Sequence, residues 1–282
     1  MKILVTGGVG FIGVNLIKKL VKEGHKVACL DNYSTGTKSN EIDGCEYHNY
    51  DIENITQLGG DFDMCFHLAG LSRIQPSFGN PTETFRVNLR GTEAVCEWAR
   101  LNNIKVIYGG SSSKWHDPYQ SPYAMYKHLG EEVCKMYRKT YNLDVNIARF
   151  YNVYGPHEII DGPWAAVIGI WRRQIRDSEP ITIVGDGNQR RDFTHVDDIA
   201  EGLIRISQYD GFHEDAWELG TGINYSMNEI YGMFKKLTGV RCVYLPEQHG
   251  NYRETLRENN DSLNKLSWSP TDKLSNYINS LF

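Results

Sequence analysis

No run in this chain is long and apolar enough to span a bilayer, and no basic block interrupts its mildly acidic balance. With 30 Lys and Arg against 35 Asp and Glu, the formal charge is −5. Partners that demand a basic surface, nucleic acid and anionic membranes, are therefore not expected. The six cysteines, at 29, 45, 65, 96, 134 and 242, lack a C-x-x-C pair or any other metal-ligand spacing. Thiols dispersed in this way suit core positions in a reducing, cytoplasmic compartment, and no metal site is expected. The apolar start at Ile3 to Val5 is broken by glycines before it reaches the length of a secretory core, and no cleavage site follows. Internal repeats and low-complexity tracts are also missing, which leaves 282 residues of globular composition, enough for one large domain or two smaller ones.

What the chain does have, at its very start, is glycine in a telling place. Ile3, Leu4 and Val5 suit a buried parallel strand, and Phe11 to Leu20 carry apolar residues at helical spacing. Between them Gly7, Gly10 and Gly13 fit G-x-x-G-x-x-G, and Gly8, Gly10 and Gly13 fit G-x-G-x-x-G. Glycines here allow a tight turn and close approach of backbone to a pyrophosphate, while the N–H groups opening the helix at Phe11 and Ile12 face the anion. Asp31, at the end of the second apolar run, lies where a dinucleotide fold sets a carboxylate against the adenosine ribose, with Asn32 following. A 2′-phosphate would place two negative charges together there, so NAD is preferred to NADP, with Lys38 the one nearby cation. Asp51 and Ile52, after the segment Cys45 to Tyr50, are candidates for the adenine edge.

Further strand-like runs at Asp63 to Leu68, Lys105 to Tyr108 and Asp144 to Arg149 alternate with helical patterns at 81–102 and 123–141. The alternation predicts an α/β fold, a Rossmann-type doubly wound parallel sheet, with ligands beyond the carboxyl ends of its strands. The prediction places this domain at 1–150. After it the pattern turns irregular, with a helical stretch near 164–177, a strand at 181–184 and a helical segment at 195–208. Ala216 to Leu219 reads as a strand, so the chain is expected to return to the sheet near 195–220, leaving 151–194 and 221–282 as a smaller α/β domain.

Ser111, Ser112 and Ser113 follow the fifth strand, and Tyr123 to Lys127 opens the next helix, with Tyr123 and Lys127 one turn apart on one face. An ammonium about 4 Å from a phenol contributes on the order of 4 kcal/mol at an effective dielectric near 20, enough to favour the phenolate unless desolvation opposes it. Tyr231 and Lys235 repeat the spacing inside a late amphipathic helix and are read as structural. His67 and His195 are also read as structural, Asp197 and Asp198 as acids that complement a helix N-terminus, and Trp164 and Trp171 as small-domain core.

These residues resemble a known family. TGGVGFIG, Asp31-Asn32, HLAG at 67–70, the serine triplet, SPYAMYK at 121–127, RFYNVYGP at 149–156 and GDGNQRRDFTHVDDIA at 185–200 are similar to extended short-chain dehydrogenases/reductases. More narrowly they resemble the NAD-dependent nucleotide-sugar epimerase/dehydratase family, with UDP-glucose 4-epimerase-like character. The resemblance implies bound NAD, held in part by Leu68, Ala69 and Gly70, and a nucleotide-sugar substrate in the smaller domain. It implies that Tyr123 removes the proton of the sugar 4-hydroxyl, that Lys127 holds the nicotinamide ribose and tunes Tyr123, and that the serines bind the same hydroxyl. Ser111 best matches the family's catalytic Ser/Thr, with Ser113 the second candidate. Asn152 and Arg191 match positions that contact the nucleotide diphosphate. A homodimer through helices near 81–102 and 123–141 is implied as well, and Phe85, Leu89, Trp98, Leu129, Val133 and Tyr137 are compatible with either that face or the core.

Dehydratases and decarboxylases of this family place an acid beside the catalytic Ser/Thr, where this chain has Ser112. Oxidation at C4, rotation of the keto sugar and return of hydride to the other face is therefore preferred, making the chain a 4-epimerase. The alternatives are a 4,6-dehydratase or another NAD-dependent nucleotide-sugar modifying enzyme, and a non-catalytic NAD-binding regulatory protein. Three departures from the family pattern stand out. The loop from Ser111 to Tyr123 is short. The late phosphate-binding Arg expected near Gln248 to Asn251 is missing in register, with Arg253 the nearest substitute. Glu218 stands where Asn is usual.

Overall fold

Successive side chains of the first strand enter opposite cores in the structure, a computed structural model that describes all 282 residues. In β1 (Lys2–Thr6), Ile3 and Val5 enter one apolar core while Leu4 enters another on the opposite face, the pattern of a strand held between two helical layers. Six more strands join it: β2 (Lys26–Asp31), β3 (Cys45–Asn49), β4 (Met64–His67), β5 (Lys105–Ser111), β6 (Val145–Phe150) and β7 (Trp217–Leu219). Their order is β3-β2-β1-β4-β5-β6-β7, and every pairing is parallel. The strand order reverses between β1 and β4, which opens a crevice at their carboxyl ends.

Helices cover both faces. On one, Leu16, Ile17 and Leu20 of α1 (Phe11–Lys22) share an apolar core with Ile3 and Val5 of β1 and Val27 of β2. On the other, Val95 and Ala99 of α2 (Gly91–Asn102) and Cys134 and Tyr137 of α3 (Pro122–Tyr141) pack on Val106, Tyr108 and Ile147. Each fully buried Leu, Ile or Val contributes about 1.5–3 kcal/mol. α4 (Val196–Gln208) adds Ile199, Leu203 and Ile206 to the first face. The helix of Tyr123 and Lys127 is sharply started: Ser121 Oγ accepts the Ala124 N–H at 3.1 Å and Pro122 fills the first position. It ends at Asn142, φ 56°, after Arg138 and Lys139 in the last turn.

Several expected boundaries shift. The helix expected over 81–102 runs from Pro81 to Asn102 with helical backbone throughout, but its hydrogen bonding changes along the way: Pro81–Phe85, a π-helical turn at Arg86–Arg90, then α2. The π-helical segment contains buried Val87 and Asn88, and Asn88 exchanges two hydrogen bonds with the Leu71 backbone, at 2.7 and 2.9 Å. Ser111 ends β5 instead of following it, because Gly109, Gly110 and Ser111 continue the ladder against Ala148, Arg149 and Phe150. The helix expected from 164 begins at Val167, since Ala166 is extended as its N-cap.

Residues beyond β6 build a third core around Trp171, Ile181, Ile183, Phe193 and Phe234. Short strands organise it: Ile181–Val184 pairs with Cys242–Leu245, and Arg190–Asp192 lies between Asn224–Ser226 and Glu254–Thr255. Asp192, fully buried, ties this region to the strand end after β7, accepting from the N–H groups of Thr221, Gly222 and Arg257 at 2.9–3.0 Å.

Candidate active site

A cavity of about 590 Å³ opens at the carboxyl edge of the sheet and runs from the β1–α1 turn to the third core. At one end lie Gly7, Gly10, Phe11, Ile12 and Gly13. Gly7 sits at φ +71°, and a Cβ there would come within 2.7 Å of the Ala69 nitrogen; a Cβ on Gly13 would meet the Gly7 carbonyl at 2.3 Å. Only glycine permits that packing. No side chain caps α1 and no acid stands in its first turn, so its first N–H groups remain available to an anion. Asp31 and Asn32 line the cavity beyond the turn. Asp31 is oriented by N–H donors from Val9, at 3.1 Å, and Tyr33, at 2.8 Å, while burial pushes its carboxyl above the usual range. No arginine or lysine lines this end, Lys38 included. Ile52 and the Leu68, Ala69, Gly70 segment complete the wall. Asp51 does not: its carboxylate is taken up by Arg86 at 2.7 and 2.9 Å and by Asn32 at 3.1 Å, and it does not line the cavity.

Midway along the cavity are Ser111, Tyr123 and Lys127. The Tyr123 hydroxyl donates to Ser111 Oγ at 3.2 Å, and the Ser113 N–H donates to the same oxygen at 3.1 Å. Ser111 Oγ thus accepts twice and keeps its own proton to donate. Ser113 also lines the cavity, with its hydroxyl buried and unpartnered. Lys127 Nζ donates to the Gly109 carbonyl at 2.7 Å and lies 4.9 Å over the Tyr108 ring, and burial pushes its ammonium down to about 8. Burial raises the Tyr123 phenol, opposed by the Ser111 hydrogen bond and by the charge of Arg73. Arg73, whose charge opposes that rise, is a residue the sequence reading did not single out.

At the far end Arg191 lines the cavity with no carboxylate partner; its hydrogen bond runs to the Arg190 carbonyl at 2.8 Å, and burial pushes it down to about 10. Asn152 also lines it, but both its amide protons are committed, to the Asp192 carbonyl at 3.1 Å and Thr255 Oγ1 at 3.0 Å. What Asn152 presents is its oxygen, an acceptor suited to a hydroxyl or N–H group and not to a phosphate. Arg253 is not brought to the cavity, because it forms an exposed pair with Asp186 at 3.1 Å. Trp171 is in the third core as expected, whereas Trp164 lines the cavity, where its carbonyl accepts from Arg73 Nε at 3.1 Å. Glu158 and Tyr252 are further wall residues without a sequence signal. His67 is buried between Thr6 and Thr92 and pushed down to about 3 by burial. His195 accepts the Asp197 N–H as the cap of α4, and the Tyr231 hydroxyl donates to the Val240 carbonyl.

The short loop and the unusual Glu218 are one feature. Trp115, in the loop, donates from Nε1 to Glu218 Oε1 at 2.7 Å and to the Tyr151 hydroxyl at 3.1 Å. Its ring lies 5.2 Å over Arg149, which is fully buried and paired with Glu131 at 2.8 Å. A carboxylate at 218 gives the indole N–H a charged acceptor that an amide would not.

Comparison with known proteins agrees with the fold. The profile of the NAD dependent epimerase/dehydratase family matches residues 3–220. The UDP-glucose 4-epimerase of Mycolicibacterium smegmatis is 31% identical, over 96% of this chain and 94% of that protein. A crystal structure of a UDP-glucose 4-epimerase from Thermotoga maritima with UDP-glucose superposes with a TM-score of 0.90 at 27% identity, covering 99% of this chain and 96% of that one. A UDP-glucuronic acid 4-epimerase from Bacillus cereus, in complex with UDP-glucuronic acid and NAD, gives a TM-score of 0.89 at 26% identity over 100% of both chains.

Proposed function

The chain belongs to the NAD dependent epimerase/dehydratase family, and from that premise we propose that it is an NAD-dependent nucleotide-sugar 4-epimerase acting on a UDP-sugar. The observation that carries the reading is one cavity holding a side-chain-free glycine turn, the ribose acceptor Asp31, and the Tyr123 to Ser111 hydrogen bond, with a serine and not an acid beside Ser111. NAD fits this cavity: the α1 N-terminus would hold its pyrophosphate and Asp31 its adenosine ribose hydroxyls, at an end with no cation for a 2′-phosphate. When bound, NAD supplies an acceptor that takes hydride from the sugar C4 and gives it back to the other face. Ser111 holds the C4 oxygen by its own hydroxyl proton, and Tyr123, once ionised to the phenolate, takes the 4-hydroxyl proton and later returns it. Lys127, placed beside Gly70 and Asn88, would hold the nicotinamide ribose. Arg191 would bind the diphosphate, and Ser113 and the Asn152 oxygen would meet hydroxyl or amide groups of the substrate.

In this reading 1–150 with the return at 195–220 is the NAD-binding domain, and 151–194 with 221–282 binds the nucleotide sugar. The return of β7 to the edge of β6 and the separate third core support it. All six cysteines are free, which supports a cytoplasmic location, and no helix is long and apolar enough to cross a membrane. A homodimer is proposed through the outer faces of α2 and α3.

The test is incubation of the purified protein with UDP-glucose, UDP-N-acetylglucosamine and UDP-glucuronate, followed by resolution of C4 epimers. At least one should equilibrate with its epimer, and Tyr123→Phe should slow this by about 10²–10⁴-fold. A 4-keto-6-deoxy product without any epimer overturns the assignment.

A further inference from the structure

Building on the epimerase reading, we propose that Arg73 is the receptor for a carboxylate carried by the sugar, so that the substrate is a nucleotide-linked acidic sugar and not a neutral hexose. Arg73 stands in the loop after β4 at φ 112°, ψ 134°, a backbone region that costs a residue with a side chain about 1–3 kcal/mol. Glycine would relieve that cost, and the chain carries arginine there.

The guanidinium is anchored at one point only. Its Nε donates to the Trp164 carbonyl at 3.1 Å, and Nη1 and Nη2 have no protein partner in the cavity wall. Glu158 is the acid of the same wall, but its Oε1 already accepts from Arg172, at 2.8 Å, and from the Tyr277 hydroxyl, at 2.9 Å. Arg172 and Tyr277 hold Glu158 Oε1 from behind, and Glu158 Oε2, although buried and unpartnered, makes no hydrogen bond to Arg73. Burial disfavours the charge of Arg73 more than the nearby Tyr123 and Glu158 restore it, so a carboxylate entering the cavity meets a guanidinium that no protein acid has paired.

Three cationic side chains line the cavity: Lys127, Arg191 and Arg73. Lys127 is turned to the Gly109 carbonyl, and Arg191 stands at the far end, where the diphosphate is placed. The helical turn Ile74–Gly79 that follows Arg73 joins α3 at Ser77, whose Oγ accepts the Tyr123 N–H at 3.2 Å. Arg73 thus lines the cavity at the Tyr123 end, where the sugar ring is placed. Two parallel N–H groups match the two oxygens of a carboxylate, a geometry that a hydroxyl cannot use in full.

The experiment measures calorimetric Kd values of the NAD-loaded protein for UDP-glucose, for UDP-glucuronate, with its carboxylate at C6, and for UDP-N-acetylmuramate, with its carboxylate on an O3 ether. The wild type should bind one of the two acids at least 10-fold more tightly than UDP-glucose, and which one identifies the position of the carboxylate. Arg73→Gln and Arg73→Ala should bring that ratio to about 1, and Arg73→Lys should leave it between the two. A wild-type ratio near 1 overturns the proposal. So does an Arg73→Gln protein that binds acid and neutral sugars more weakly by the same factor, as loss of a diphosphate or cofactor contact would produce. Binding is read without turnover, so missing C4 epimers would sink the epimerase reading while the ratio still decides the role of Arg73.

Discussion

Asp31 is held in place by the protein before any ribose reaches it. Its two oxygens accept from Val9 and Tyr33, yet burial still raises its pKa. A carboxyl whose folded pKa exceeds its unfolded one binds its proton more tightly in the native state. Stability from this group is thus present below the unfolded pKa and is lost as pH rises through the raised one, leaving a cost at pH 7. Asp31→Asn should accordingly raise the Tm at pH 7 without added NAD, by an amount that shrinks toward pH 4.5. The same change should weaken NAD at least 10-fold, since a hydrogen bond to a charged acceptor is worth about 1.5–3 kcal/mol. Scanning fluorimetry at the two pH values and NAD titration check both halves; an Asn variant that binds NAD as well as wild type removes Asp31 from the ribose. At this scale the sequence shows the residues whose role depends on spacing. Gly7, Gly13, Asp31 and Tyr123 are placed by their distance along the chain from a strand end or helix start. Arg73 follows no period, and its role depends on what Glu158 does with Arg172, two residues far away in sequence. For the same reason the Tyr123 to Lys127 spacing is readable, while the turn of Lys127 toward Gly109 is not.

The loop between β5 and α3 shows how two departures from a family pattern compensate at the level of an element. A short loop has little packing of its own, and Trp115 remains 58% exposed. What holds it are the two indole hydrogen bonds to Glu218 and Tyr151 and the ring over Arg149. Trp115→Phe and Glu218→Gln should each loosen the segment 112–120, seen as faster amide exchange there, and raise the substrate KM. Because both act on one contact, a double-mutant cycle should return a coupling of about 1–3 kcal/mol. Additive effects would separate the loop from Glu218. Sequence shows that the loop is short and that Glu218 is unusual, but nothing along the chain joins positions 103 residues apart. The π-helical turn at Arg86–Arg90 is hidden for a different reason: its cause is the pull of Asn88 on the Leu71 backbone, a tertiary contact that leaves the helical periodicity of 81–102 intact.

Across the whole molecule, the alternation of apolar runs and helical patterns is enough to predict a parallel sheet covered on both faces, because a parallel strand buried between two helical layers must be apolar on both faces; the order of the strands is not written in it. Interface and core are harder to separate. Trp98 and Tyr137 are buried in the second core, whereas Phe85 is exposed and Leu89, Leu129 and Val133 are half-buried. Exposed Met136 extends that outer face. If α2 and α3 pair with a second copy, the wild type should sediment as a dimer, and Leu129→Glu should yield a folded monomer in light scattering. A wild-type monomer at micromolar concentration would remove this face as an interface.

The return of β7 to the edge of β6 carries a mechanical consequence. Everything from Tyr151 to Ala216 leaves the sheet and re-enters it on adjacent strands, about 4.8 Å apart. Arg191, the proposed diphosphate ligand, sits on that excursion, which α4 seats in the first core and Asp192 ties to the strand end after β7. The wall that would meet the diphosphate is thus braced on the same sheet that carries the glycine turn, and the distance between the two ends of the cavity is set by the sheet.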